Sequence, residues 1–240
     1  MYEERFYRAF TRPEDLVCYE VKLKETDLFC CTATDLSKPI EERVLQYRYQ
    51  LEEYIRQRPL FRESLVPVED DLFSPPIVKQ MIEASTLLGV GPMACVAGAI
   101  AEFVGRDIAS LSEEYIIENG GDISMKTKRE RTAVIYAKDS PYSGKIGIRI
   151  KAREEAYGIC TSSATVGPSL SFGRADAVCI LGASALFADG LATYVGNRVK
   201  QENDIQPALE AGSQFPGVTG ILVIVKSQMG VWGNLDLVTV

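Results

Sequence analysis

At 240 residues, with 46% hydrophobic and 25% charged side chains, the chain is long enough to bury a substantial core as one domain spanning residues 1–240. A net charge of −7 with scattered basic residues excludes the clustered basic face of a nucleic-acid binder. The absence of histidine removes Ser-His-Asp and Cys-His catalysis and leaves proton transfer to Asp, Glu, Lys, Tyr or Cys.

The N-terminal third predicts a meander, with β-rich runs at Phe6–Phe10, Leu16–Lys24 and Leu28–Thr34. Ser37 and Pro39 announce a helix whose apolar positions Ile40, Val44, Tyr47, Leu51, Tyr54 and Ile55 keep a 3.6-residue period until Pro59. Pro59–Pro76, with its Glu69–Asp71 acidic run, reads as a long surface connection. A helix over about Ile77–Leu88 follows, then one opened by Pro92 and running to Val104, lined by Ala94, Ala97, Gly98 and Ala101. Side chains this small allow close approach of a sheet, another backbone or a planar ligand.

Strands are then predicted at Tyr115–Glu118, Thr132–Ala137, Lys145–Lys151, Tyr157–Ser162 and Ala175–Leu181. The dense basic run Lys126–Arg131 contains Glu130 and reads as a solvated turn. Helices at Ala185–Val199 and Pro207–Ala211, a strand at Val218–Lys226, a Gly-rich turn and a closing strand at Leu235–Val240 complete the chain. Strands come in runs rather than alternating with helices, so the class is α+β.

Six cysteines show no CxxC spacing and fall mostly in apolar runs, so all six are expected to be reduced core residues. Met1–Arg12 mixes charge with aromatics, unlike an export signal. The apolar stretch Leu87–Val104 is broken by glycine and proline and contains Glu102, unlike a membrane span. The expectation is a cytoplasmic protein with no membrane partner.

Three segments carry candidate chemistry. Glu118-Asn119-Gly120-Gly121-Asp122 closes a strand; its glycines suit a hairpin turn and equally a backbone cradle for an anion. Tyr157–Ser169 is rich in hydroxyls, with Thr161, Ser162 and Ser163 able to bond phosphate oxygens, although surface loops share that composition. On the helix after Ser184, Asp189, Thr193 and Asn197 recur every fourth residue as one polar stripe. A carboxylate and a hydroxyl one turn apart are hard oxygen ligands suited to magnesium. The plainer role is an exposed stripe whose aspartate complements the positive helix end.

Taken in order, Asn119-Gly120-Gly121-Asp122, Thr161-Ser162-Ser163, and Ala175–Leu181 followed by Ala188-Asp189-Gly190-Leu191-Ala192-Thr193 resemble the ApbE superfamily of flavin transferases over roughly Gly89–Val199. The resemblance implies an ApbE-like α/β roll, a mixed and mainly antiparallel sheet packed with helices. It implies Mg2+ held by Asp189 and Thr193, and a flavin dinucleotide lined by Gly120, Gly121, Asp122, Thr161, Ser162 and Ser163. It also implies cleavage of FAD and attachment of FMN to an acceptor protein, with Asp122 or Cys160 assisting. The superfamily's His-x-x-Asp-Pro-type segment has no counterpart here, since Val166–Arg174 contains neither histidine nor acid. Two readings therefore stand: a magnesium-dependent transferase or pyrophosphatase acting on a flavin nucleotide, or a non-catalytic flavin binder or homodimeric interaction protein that kept the fold.

Overall fold

A computed structural model describes residues 13–163 and 173–240; the expected strand at Phe6–Phe10 lies outside them. Eleven strands and six α-helices are arranged around two sheets among the described residues. The first strands, β1 (Val17–Leu23) and β2 (Thr26–Thr32), form a hairpin. Four helices follow: α1 (Ser37–Gln57), the short α2 (Leu60–Glu63), α3 (Pro76–Leu88) and α4 (Val96–Ile108), the last entered through a 3-10 turn at Pro92–Cys95. The strands β3 (Tyr115–Asn119), β4 (Asp122–Thr127), β5 (Arg131–Val134), β6 (Ile146–Ile150), β7 (Arg153–Ser162) and β8 (Ala177–Gly182) come next. Helices α5 (Ala185–Arg198) and α6 (Ile205–Ser213) precede β9 (Val218–Val225), β10 (Gln228–Gly233) and β11 (Asp236–Thr239).

The main sheet has eight strands in the order β1-β2-β3-β4-β7-β8-β9-β10, and the smaller one runs β11-β6-β5. Every pairing is antiparallel, as the run of strands predicts. The helices cover one face of the large sheet. Ile117 packs with α1, α3 and α4, while Cys160, Val178 and Ile221 pack with α5 and α6. Ile159, Cys179 and Leu222 face the small sheet around Ile148 and Ile150.

Local rules explain most boundaries. The expected stripe of α1 is the buried one, with Ile40, Val44, Tyr47, Leu51 and Tyr54 all in the core. Gly89, at φ 68°, ends α3 in the left-handed conformation, where a side chain is unfavourable. Among the described residues no single helix is long and apolar enough to cross a membrane; α3 and the Pro92–Ile108 stretch meet at a 107° bend.

The small residues of α4 serve helix contact. A Cβ added to Gly98 would stand 2.3 Å from the Ala185 carbonyl oxygen and 2.8 Å from the Asp189 Cβ. Only glycine lets α4 and α5 cross this closely.

The expectation that all six cysteines are reduced is corrected. Cys18 and Cys31 oppose each other across the β1–β2 ladder and form a disulfide, while Cys30, Cys95, Cys160 and Cys179 are buried thiols outside any disulfide. The bonded pair is defined by strand register, which spacing alone does not reveal. Disulfides belong to oxidising compartments or to thermophile interiors, so cysteine usage no longer supports a reducing compartment.

Gly98→Leu is expected to destabilise the fold by about 1–3 kcal/mol, because carbonyl and helix backbone oppose the new side chain; denaturant unfolding measures this, and an unchanged midpoint would place α4 away from α5. Thiol titration of unfolded, unreduced protein should find four thiols and two more after reduction. Six at the outset would remove the bond.

Candidate functional site

One residue from each of the three segments singled out in the sequence, Asp122, Cys160 and Asp189, comes to the helical face of the large sheet. Gly120 and Gly121, at φ 69° and 101°, form the two-residue turn between β3 and β4, with Asn119 opposite Asp122. Both torsions lie in the region where glycine costs least, so the hairpin role is met here. The turn is fastened on each side: the Gly121 N–H donates to Glu118 Oε1 at 2.8 Å, and Asn119 Nδ2 donates to the Ala97 carbonyl oxygen at 3.1 Å. The second bond ties the hairpin to the start of α4.

Asp122 is therefore placed at the head of β4, opposite Cys160 in the register with β7. It is buried. The Cys160 thiol and the Thr161 N–H both bond to its carboxylate. Burial raises the Asp122 pKa well above the usual carboxylate range, and the nearby Asp189 charge adds to the rise against those two bonds.

Asp189 occupies the middle of α5. Its carboxylate accepts the Gly98 N–H at 2.9 Å and is also bonded by the Ala97 N–H. These are two of the orphan donors of the first turn of α4, so a side chain of α5 caps its neighbour. Part of Asp189 still reaches solvent, while its carboxylate sits deep enough for burial to raise its pKa to about 7 against the pull of the two N–H donors. For Asp189 the rise records burial alone, whereas for Asp122 the charge of Asp189 adds to it.

The reverse cap is present as well. Glu102, buried within α4, accepts the Leu186 N–H at 2.9 Å and the Ser184 hydroxyl at 2.7 Å through Oε2, and pairs with Arg106 through Oε1. Ser184 itself caps α5 by accepting the Phe187 N–H at 3.1 Å. Each helix thus supplies a carboxylate to the other's positive end.

Cys160 is fully buried, its sulfur also lies 3.1 Å from the Ala185 carbonyl oxygen, and its pKa is pushed well up by burial and then by Asp122. It is held as a thiol. Cys95 is likewise buried with a raised pKa, and a Cβ on Gly190 would stand 2.6 Å from its sulfur.

The hydroxyl trio divides between the two faces of the sheet. Thr161 brings its backbone to the site, its oxygen 3.6 Å from where a Gly121 Cβ would be, but its hydroxyl bonds to Cys179 on the opposite face. Ser162 lies on the α5 side, its Oγ 4.0 Å from the position of a Gly196 Cβ. Ser163 is buried at the end of the strand. Thr193 stands one turn beyond Asp189 on the same helix and is partly open to solvent.

Glu102, Cys95 and the Ala97–Gly98 amides were not singled out as site residues from the sequence. An acid inside the apolar Leu87–Val104 stretch was the available signal for Glu102. Among the described residues no group of three or more His, Cys, Asp and Glu is placed to hold a metal. The available donors are two carboxylates and a neighbouring hydroxyl, a hard-oxygen set that suits magnesium retaining several waters.

The profile of a family described as AbpE bacteria matches residues 8–231 of this chain. A UPF0280 protein of Methanocaldococcus jannaschii is 40% identical over 203 residues, 82% of each chain. A UPF0280 protein of Methanobrevibacter smithii is 41% identical over 211 residues, 84% of this chain and 88% of the relative. Among solved structures, the apo flavinyl transferase ApbE of Pseudomonas stutzeri superposes with a TM-score of 0.60 at 12% identity, covering 90% of this chain and 93% of its own. An ApbE protein of Thermotoga maritima gives 0.57 at 13% identity, covering 89% and 96%. The fold is that of ApbE flavin transferases.

A pH dependence follows from the raised carboxylates. A folded pKa above the unfolded value means that the native state holds protons more tightly, so this contribution is complete below the unfolded pKa and is lost as pH rises through the folded one. Metal-free protein should lose thermal stability as pH rises from about 4, the ordinary aspartate value, through about 7, the raised value of Asp189, and Asp189→Asn should flatten that slope. A slope identical in the two proteins would place the titration elsewhere.

Proposed function

We propose, from the premise that this chain belongs to the family described as AbpE bacteria, that it binds a flavin dinucleotide beside Asp122, together with magnesium at Asp189 and Thr193, and acts at the phosphate. The reaction class is transfer of an FMN group from FAD to a hydroxyl of an acceptor protein or to water, with AMP leaving. The observation that carries the reading is the buried carboxylate pair. Two acids in a site that disfavours charge keep a proton between them unless a cation replaces it.

Asp189 and Thr193 are the residues that would hold the cation, whose chemistry when bound is to neutralise phosphate charge. The protein's own part is largely placement, as phosphoryl transfer demands. The Gly120–Gly121 turn keeps side chains away from the approach to Asp122. Asn119, through Ala97, holds that turn to α4. With the chain lacking histidine and Cys160 locked as a thiol, Asp122 is the group assigned to receive the proton of the attacking hydroxyl. Glu102 keeps the start of α5, and with it Asp189, in position.

One observation favours the second reading. Asp189 already caps α4 through Gly98 and Ala97, a structural task sufficient to account for its place. In that case the protein binds a flavin nucleotide without turning it over, as a monomer or homodimer.

Calorimetry with FAD, FMN and ADP, with and without magnesium, separates the readings when paired with chromatography of FAD incubations. The expected outcome is magnesium-dependent FAD binding, lowered about tenfold or more in Asp189→Ala and less in Thr193→Ala, with AMP appearing over time. Binding without product favours the second reading. Binding unaffected by either substitution in folded variants removes the metal assignment.

A further inference from the structure

A second polar cleft opens at the far end of α5. Its lining comes from the approach to β8 (Arg174, Asp176), the segment after α5 (Lys200–Asn203) and the β9–β10 turn (Lys226), and its volume is about 440 Å3. The end of α5 lies about 14 Å beyond Asp189 by helical rise, so this cleft is separate from the carboxylate pair.

Three cations and two acids face it, and both acids are already engaged. Asp176 Oδ2 accepts the Lys226 N–H at 2.6 Å, and Glu202 Oε1 lies 3.6 Å from Lys226 Nζ. Asp204, just outside, takes the N–H groups of Lys200 and Gln201 at 2.8 and 3.0 Å.

Arg174 differs from its neighbours. Its backbone is fixed, because its N–H donates to the Val199 carbonyl oxygen at 2.7 Å and a Cβ on the preceding Gly173 would stand 1.9 Å from the Gly196 oxygen. Its side chain is exposed and forms no ion pair among the described residues. A guanidinium on an anchored backbone presents its fork to a phosphate or carboxylate at low ordering cost.

We infer that this cleft binds the phosphate group of a small phosphomonoester. Arg174 grips the phosphate oxygens, Lys226 and Lys200 add charge, and the amides of Gln201 and Asn203 offer further polar contacts. The ligand class follows from the donors of this cleft and needs neither magnesium nor Asp189.

The test is calorimetric titration of AMP, FMN, orthophosphate, adenosine and riboflavin into the full chain in buffer containing EDTA. AMP or FMN should bind at least about tenfold more tightly than its uncharged nucleoside. Preference for one identifies the nucleoside, and orthophosphate competing at the same site confirms the phosphate contact. Arg174→Ala should lower the affinity about tenfold, Arg174→Lys less, and Asp189→Asn should leave it unchanged. Lys226→Ala serves as the second variant, with melting temperatures confirming the fold of each. Equal binding of phosphorylated and unphosphorylated ligands, absence of binding, or binding indifferent to both Arg174→Ala and Lys226→Ala overturns the inference. AMP binding through Arg174 with no magnesium-dependent FAD uptake would keep this cleft and remove the earlier reading; the opposite pattern would remove the cleft alone.

Discussion

Two carboxylates are exchanged between α4 and α5: Glu102 reaches the first turn of α5 and Asp189 reaches the first turn of α4. Hydrogen bonds to a charged group contribute more than neutral ones, about 1.5–3 kcal/mol each, and here they also satisfy helix-end donors that the packing would leave without water. The crossing that permits the exchange depends on Gly98, where any side chain would strike Ala185. With that contact made, the α4 start is fixed against the β3–β4 turn through Asn119 and Ala97, and Asp122 comes within electrostatic reach of Asp189. The site is a consequence of how two helices cap one another.

This arrangement gives Asp189 two competing partners. In the described geometry it answers backbone donors; as a metal ligand it would answer a cation as well. Carboxylates have two oxygens and several acceptor positions, so one oxygen can stay on Gly98 while the other turns to a cation. The raised pKa of the pair marks what is at stake electrostatically, since one bound proton or one bound cation relieves the same repulsion. The second carboxylate, Asp122, lies in strand register with Cys160, so sheet pairing defines its position as firmly as helix packing defines that of Asp189.

Much of this was legible from residue pattern. The α1 stripe, the α4 small-residue face and the Asp189 helix followed from periodicity and side-chain size, and the burial of Ile40, Val44, Tyr47, Leu51 and Tyr54 and of Gly98 through Val104 agrees with that reading. Strand β4 was not, because Asp122–Thr127 follows a Gly-Gly turn and runs into the basic segment read as solvated. Strand β10 was missed for a related reason: Gln228–Gly233 carries two glycines and resembles a turn, yet it pairs along the length of β9. The Cys18–Cys31 bond and the opposite-face position of the Thr161 hydroxyl depend on register and strand parity, which one-dimensional spacing does not contain. Glu102 stood out only as an acid in an apolar run, and its partners belong to a segment more than eighty residues away.

The central claim is that the Asp122–Asp189 pair exchanges a proton for a cation. Magnesium titration by calorimetry near neutral pH, repeated in buffers of different ionisation enthalpy, counts the protons released on binding. The account predicts release of about one proton per cation bound, vanishing in Asp122→Asn. Magnesium binding with no proton release, or release unchanged by that substitution, would contradict it.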